Sequence, residues 1–142
     1  MKSVLPLSLL ALAACSPASA QQHDGSRMIG ETWTFDGTNW MQQSPTNSPA
    51  DRSSAGFTFD SARGVAVLFG GFNSTLFQLN DTWEWDGSNW TQRTTSISPP
   101  ARMFAPIAYD SVRQRSVLFG GLASNGNLGD TWEFDGTNWA QV

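Results

Sequence analysis

The chain has 142 residues, a formal net charge of −4, one cysteine and one histidine. A single cysteine excludes an internal disulfide, and an acidic chain without a basic stripe lacks the electrostatic footprint of a nucleic-acid binder. With one histidine and one cysteine, a zinc cluster cannot be assembled, and Ser-His-Asp or Cys-His catalysis has no usable base.

Residues 1–20 predict an export signal: Lys2 gives a positive start, Val4 to Ala14 an apolar stretch, and Ala18-Ser19-Ala20 a small-residue cleavage site. The apolar stretch is too short to span a bilayer. A second reading stands beside it. Leu12-Ala13-Ala14-Cys15 resembles the bacterial lipobox, which would make residues 1–14 a lipoprotein signal and Cys15 the site of a lipid anchor. Either way the product is exported, whether secreted, periplasmic or anchored at the outer membrane of a bacterium. Both cleavages remove Lys2, the only lysine, leaving seven arginines against twelve carboxylates (7 − 12 = −5). Such a chain offers no basic helix to an anionic membrane. Residues 21–27 are polar and read as a tether.

From residue 28 the sequence repeats itself. ETWTFDGTNW from Glu31, DTWEWDGSNW from Asp81 and DTWEFDGTNW from Asp130 recur at spacings of 50 and 49 residues (81 − 31 and 130 − 81). Between them, Pro49 to Gly71 matches Pro100 to Gly121. A fixed period of this length marks a repeat architecture. The units are a half unit at 28–43 and full units at 44–93 and 94–142.

Each full unit reads as four antiparallel strands, and no segment has helical periodicity. Ala55 to Asp60 ends in the turn Asp60-Ser61-Ala62-Arg63-Gly64. Val65 to Phe69 is a continuous apolar run, expected to be covered on both faces and to stop at Gly70-Gly71. Asp81 to Asp86 alternates with period two. Asp86-Gly87-Ser88-Asn89 is a tight hairpin turn, after which Trp90-Thr91-Gln92 opens the fourth strand. The next unit runs the same course from Phe104, and with Glu31 to Asp36 and Trp40 to Gln43 the count is ten strands.

The double glycines Gly70-Gly71 and Gly120-Gly121 are followed by Leu79-Asp81-Trp83 and Leu128-Asp130-Trp132, and then by Trp90 and Trp139. In this order they resemble the kelch repeat. The resemblance implies an all-β fold of four-stranded antiparallel β-propeller blades, about two and a half of them, hence an incomplete propeller. Where bacterial proteins of this kind often carry a histidine after Pro-x-Arg, this chain has Ala55 and Ala105. Blade packing implies that Trp33, Trp40, Trp83, Trp90, Trp132 and Trp139, with Trp85, fill the gaps between blades. Open end blades imply self-association, disorder at the ends or a longer parent protein.

The same superfamily includes galactose oxidase, whose copper site needs histidines, tyrosines and a Tyr–Cys cross-link. Here His23 lies in the tether, Cys15 in the signal, and Tyr109 aligns with Phe59 as a core position. No cofactor, metal or catalytic residue is therefore expected. Asp36, Asp86, Asp135, Asp60 and Asp110 stand where aspartate caps its own turn. Glu84 and Glu133 are expected to make hydrogen bonds between blades. The glycosylation-like triplets at Asn73, Asn80 and Asn89 are read as chance.

Because antiparallel strands alternate, the loop after Gly-Gly and the Pro-rich link emerge on one face and the Asp turns on the other. The first face supplies the candidate ligand-binding residues: Arg52, Phe72, Asn73, Ser74, Arg102, Asn125 and Asn127, although the recurrence of Arg52 and Arg102 at a spacing of 50 residues (102 − 52) reads first as a repeated structural position. The expectation is a non-catalytic protein- or glycan-binding scaffold at the cell envelope. The alternative is a fragment of a larger carbohydrate-active enzyme whose catalytic residues lie elsewhere.

Overall fold

The computed structural model describes residues 30–142. The two signal readings, Cys15 and the tether lie outside the described residues. The described chain is all-β, with ten strands and no helix. β1 (Thr32–Phe35) and β2 (Trp40–Gln43) form a two-stranded antiparallel sheet. β3 (Gly56–Asp60), β4 (Val65–Asn73), β5 (Phe77–Trp85) and β6 (Trp90–Arg93) follow as a four-stranded meander, the middle sheet. β7 (Ile107–Asp110), β8 (Arg115–Ala123), β9 (Gly126–Phe134) and β10 (Trp139–Gln141) repeat it as the C-terminal sheet.

Turn chemistry closes the hairpins as the composition predicts. Asp86 Oδ1 accepts the backbone N–H of Ser88 and of Asn89, both at 2.8 Å, and Asp36 and Asp135 do the same in their copies. Asp60 and Asp110 accept two backbone N–H groups each in the other turn. These bonds hold Asp36, Asp86 and Asp135 below the usual carboxylate range, since each favours the ionised form.

The double glycines do not end the second strand. β4 runs on to Asn73, with the register against β5 shifting between Phe69 and Gly71. Gly70 and Gly71 sit at φ 62° and 102°, and a Cβ on either would lie 2.7 Å from a carbonyl oxygen, of Arg102 or Ser53. The pair is thus a bulge over which a neighbouring backbone passes closely, and only glycine satisfies both demands.

Two apolar clusters form the core, one of them joining two sheets. One joins Val67 and Phe69 of the middle sheet to Leu118, Trp132, Phe134 and Trp139 of the C-terminal sheet. The other gathers Ala66, Leu68, Trp85 and Trp90 on the opposite face of the middle sheet. A buried tryptophan removes about 150–250 Å² from water, roughly 4–6 kcal/mol gross. The indoles also place polar tips: Trp139 Nε1 donates to Thr82 Oγ1 at 2.9 Å, and Trp90 Nε1 to Thr32 Oγ1 at 2.8 Å. Trp40, expected to be packed, is exposed, and so is Phe59.

Glu84 departs from the expectation of a bond between units. Its partners are Arg63 and Arg93, both within the middle sheet. The group that crosses is Arg63, whose guanidinium lies 5.7 Å from the centroid of the Phe134 ring. Arg63 from the β3–β4 turn and Arg93 from the end of β6 each take one oxygen of Glu84, so both are satisfied inside the sheet.

Candidate functional site

Arg52 and Arg102 lead the residues singled out from the sequence, and the structure places both inside the fold. They are 5% and 0% exposed. Arg52 makes a bidentate pair with Asp81, Nη1 to Oδ1 at 2.6 Å and Nη2 to Oδ2 at 2.8 Å. Its Nη1 also donates to Gly70 O and its Nε to Ala50 O, each at 3.0 Å. Arg102 repeats the set on Asp130, Gly120 O and Pro100 O. The indoles of Trp83 and Trp132 complete each group, donating to Asp81 Oδ2 and Asp130 Oδ2 at 2.6 Å.

The arrangement is a latch. It ties the link before each meander to the bulge and to the third strand, using planar donors that fit a carboxylate. The Arg102 guanidinium holds the Asp130 carboxyl at about 2, against the smaller opposing effect of burial. Burial pushes Asp81 up, but the bonds from Arg52 and Trp83 outweigh it and the group stays below its ordinary value. In the first copy Glu31 takes the aspartate's place and accepts only Trp33 Nε1 among the described residues.

The other candidate residues sit on the hairpin ends. The links pass beside those hairpins through the single bridges Ser53–Phe72 and Met103–Leu122, so links and hairpins share one edge of the sheets. Phe72 is half-buried and meets Phe77 edge to face, with centroids 6.4 Å apart. Asn73 shapes its own turn: Oδ1 accepts the N–H groups of Thr75 and Leu76 at 2.8 and 3.0 Å, and Nδ2 donates to Asp51 O at 2.6 Å. Ser74 is exposed at the same tip. Asn125 and Asn127 are exposed on the corresponding hairpin of the C-terminal sheet. The two hairpin ends therefore match in position but not in character.

Three residues of this edge were not anticipated. Leu76, Phe77 and Phe104 are 61%, 63% and 63% exposed. Phe77 and Phe104 also hold left-handed backbone conformations, at φ 60° and 56°. A bulky side chain avoids that region, at about 1–2 kcal/mol per residue. The sequence did hold a signal: the matching places in the other copy are Gly126 for Phe77 and Ser54 for Phe104. An exposed phenylalanine where the repeat elsewhere keeps a small residue is a departure that packing does not ask for.

A shallow groove of about 520 Å³ opens beside β6, floored by Trp83 and Trp90 and rimmed by Asn47, Ser48, Thr91 and Gln92. No ionisable side chain lines it. Among the described residues no group of three or more His, Cys, Asp or Glu is placed to hold a metal ion, and no helix is long and apolar enough to cross a membrane. In comparisons with known proteins, no family model matches the chain and no curated protein matches it.

Proposed function

We propose that the chain is an exported segment of a kelch-type propeller that acts as a non-catalytic recognition module, binding protein surfaces through its hairpin edge. The observation that carries this reading is the pair Phe77 and Phe104, both exposed and both in left-handed backbone conformations. Strained residues of this kind cluster at functional sites, and Leu76, next to Phe77 in the chain, adds apolar area to the hairpin tip. Aromatic side chains anchor protein interfaces. The recurring carboxylates meanwhile go to turns, latches and in-sheet ion pairs, which supports a scaffold presenting loops. The two meanders in register, with their shared glycine bulge, support the kelch assignment. Residues 1–20 support export.

Parallel screening of the purified chain on protein and glycan arrays tests the reading. Protein hits are expected, and the triple variant Leu76→Ser, Phe77→Gly, Phe104→Ser should lose them at least tenfold while unfolding at an unchanged or higher temperature. Retained affinity in that variant, or hits confined to glycans, would sink the proposal.

A further inference from the structure

The structure displays the contact between one repeat and the next, and among the described residues nothing covers the two halves of that contact at opposite ends. In the complete contact, Trp139 is 1% exposed. Its Nε1 donates to Thr82 Oγ1, and its ring meets Phe69 at 5.0 Å and 62°. Phe134 supports it from its own sheet at 5.1 Å and 30°. The donor half is thus a tryptophan backed by a phenylalanine on the last hairpin. The acceptor half is a phenylalanine and a threonine on the preceding sheet. Trp90 and Thr32 repeat the same hydrogen bond one unit earlier.

The donor half recurs on the two-stranded sheet. Phe35 and Trp40 lie 5.1 Å apart at 35°, close to the Phe134–Trp139 arrangement, yet Trp40 is 37% exposed. The acceptor half recurs on the C-terminal sheet. Phe119 stands where Phe69 does and is 56% exposed, against 1% for Phe69. Thr131 beside it matches Thr82 and is half-buried rather than buried. A preformed donor and a preformed acceptor, each of the kind that closes tightly elsewhere in the same molecule, are complementary.

We propose that the chain associates head to tail with a second copy of itself, the Phe35–Trp40 hairpin of one copy seating on Phe119 and Thr131 of the other. Trp40 Nε1 then donates to Thr131 Oγ1, and the contact continues the repeat across the molecular boundary. Because the two surfaces differ, the contact is heterologous: it closes into a ring if the rotation allows and otherwise extends as an open chain. Covering Phe119 and Trp40 removes apolar surface from water, the same driving force that joins the internal sheets. This association is independent of the hairpin-edge recognition proposed above.

Light scattering on a sizing column decides the matter, because the heterologous geometry makes an uncommon demand. The chain is expected to gain mass with concentration. Trp40→Ala and Phe119→Asp each disable one end, so each alone should elute as a monomer. Mixed in equal amounts they should form a dimer and nothing larger, since Trp40→Ala keeps its acceptor and Phe119→Asp keeps its donor. Phe119 is exposed, so Phe119→Asp should retain the unfolding midpoint of the parent monomer, whereas Trp40→Ala gives up the ring contact with Phe35 and should lower the midpoint while the four-stranded sheets stay folded. A parent chain that stays monomeric at its highest concentration, variants that associate as the parent does, or a mixture that stays monomeric would each overturn the proposal.

Discussion

Phe69 and Phe119 hold the same place in two nearly identical four-stranded sheets, and one is buried while the other faces solvent. Their strands share the run Val-Leu-Phe-Gly-Gly, the same register shift at the double glycine and the same latch to an arginine of the link. What differs is the neighbour. The middle sheet has the C-terminal sheet across its Phe69 face, whereas nothing among the described residues lies across the Phe119 face. Local sequence therefore sets strand, turn and latch, while burial is set by the next copy of the repeat. This is the behaviour of a quasi-one-dimensional array, in which each unit is stabilised through its nearest neighbours.

The largest effect expected from this contrast comes from truncating the two phenylalanines. Phe69→Ala should cost about 3–5 kcal/mol, because it opens a cavity against Trp139. Phe119→Ala, measured at a concentration where the chain is monomeric, should stay within about 0.5 kcal/mol, as exposed substitutions do. Urea denaturation of both variants checks the pair. Equal losses would mean that the C-terminal sheet is covered in solution even as a monomer, and would break the comparison.

Much of the fold was legible because its determinants are local. The Asp-Gly turns, the apolar run of β4 and the alternation of Asp81 to Trp85 each carry their instructions within about ten residues, and ten strands follow from them. The latches were legible only in part. Arg52 and Asp81 are 29 residues apart, and only the joint recurrence of both in the next unit hinted that they meet. The 50-residue recurrence of Arg52 and Arg102 points to a repeated structural position, but the carboxylate that turns each inward lies on another strand and the recurrence alone does not name it. The double glycine reads as a stop in sequence because a stop and a bulge use the same residues. Phe77 and Phe104 carry no local signal, because backbone sign is invisible in a residue list unless the copies are compared position by position.

An intermediate effect is expected from acid, and it separates the latched sheets from the first one. Asp130 has a folded value of about 2, and an unfolded aspartate titrates near about 3.9. A depressed folded value means that the stabilisation is fully present above the unfolded value and is lost as pH falls through the folded one. Between about pH 4 and pH 2 the Asp130 latch should therefore surrender on the order of 1–2 kcal/mol, allowing for its partial exposure to solvent. Asp81, shifted in the same direction, adds to the loss. Thermal unfolding across that range should show a falling midpoint for the parent. Asp130→Asn should start lower at neutral pH and fall less, because the group that takes up the proton is gone. An acid limb of the same depth in Asp130→Asn would assign it to other carboxylates.

The smallest effect concerns the hairpin tips, where the middle sheet turns through three residues between Asn73 and Phe77 and the C-terminal sheet through two between Ala123 and Gly126. Phe77 in the middle sheet and Gly126 in the C-terminal sheet begin equivalent strands at φ 60° and 124°. Phenylalanine is disfavoured there by about 1–2 kcal/mol, whereas glycine reaches it freely but brings a more disordered unfolded chain, an offset of about 0.5–1 kcal/mol. Phe77→Gly also gives up the edge contact with Phe72. The balance predicts a gain of no more than about 0.5 kcal/mol. The reciprocal change, Gly126→Phe, should be destabilising by about 1 kcal/mol or more, because φ 124° lies farther from any conformation a side chain favours. Paired denaturation curves measure both. A loss of stability in Phe77→Gly would mean that the aromatic tip holds its hairpin together, and Phe77 would then need no external partner to account for its strain.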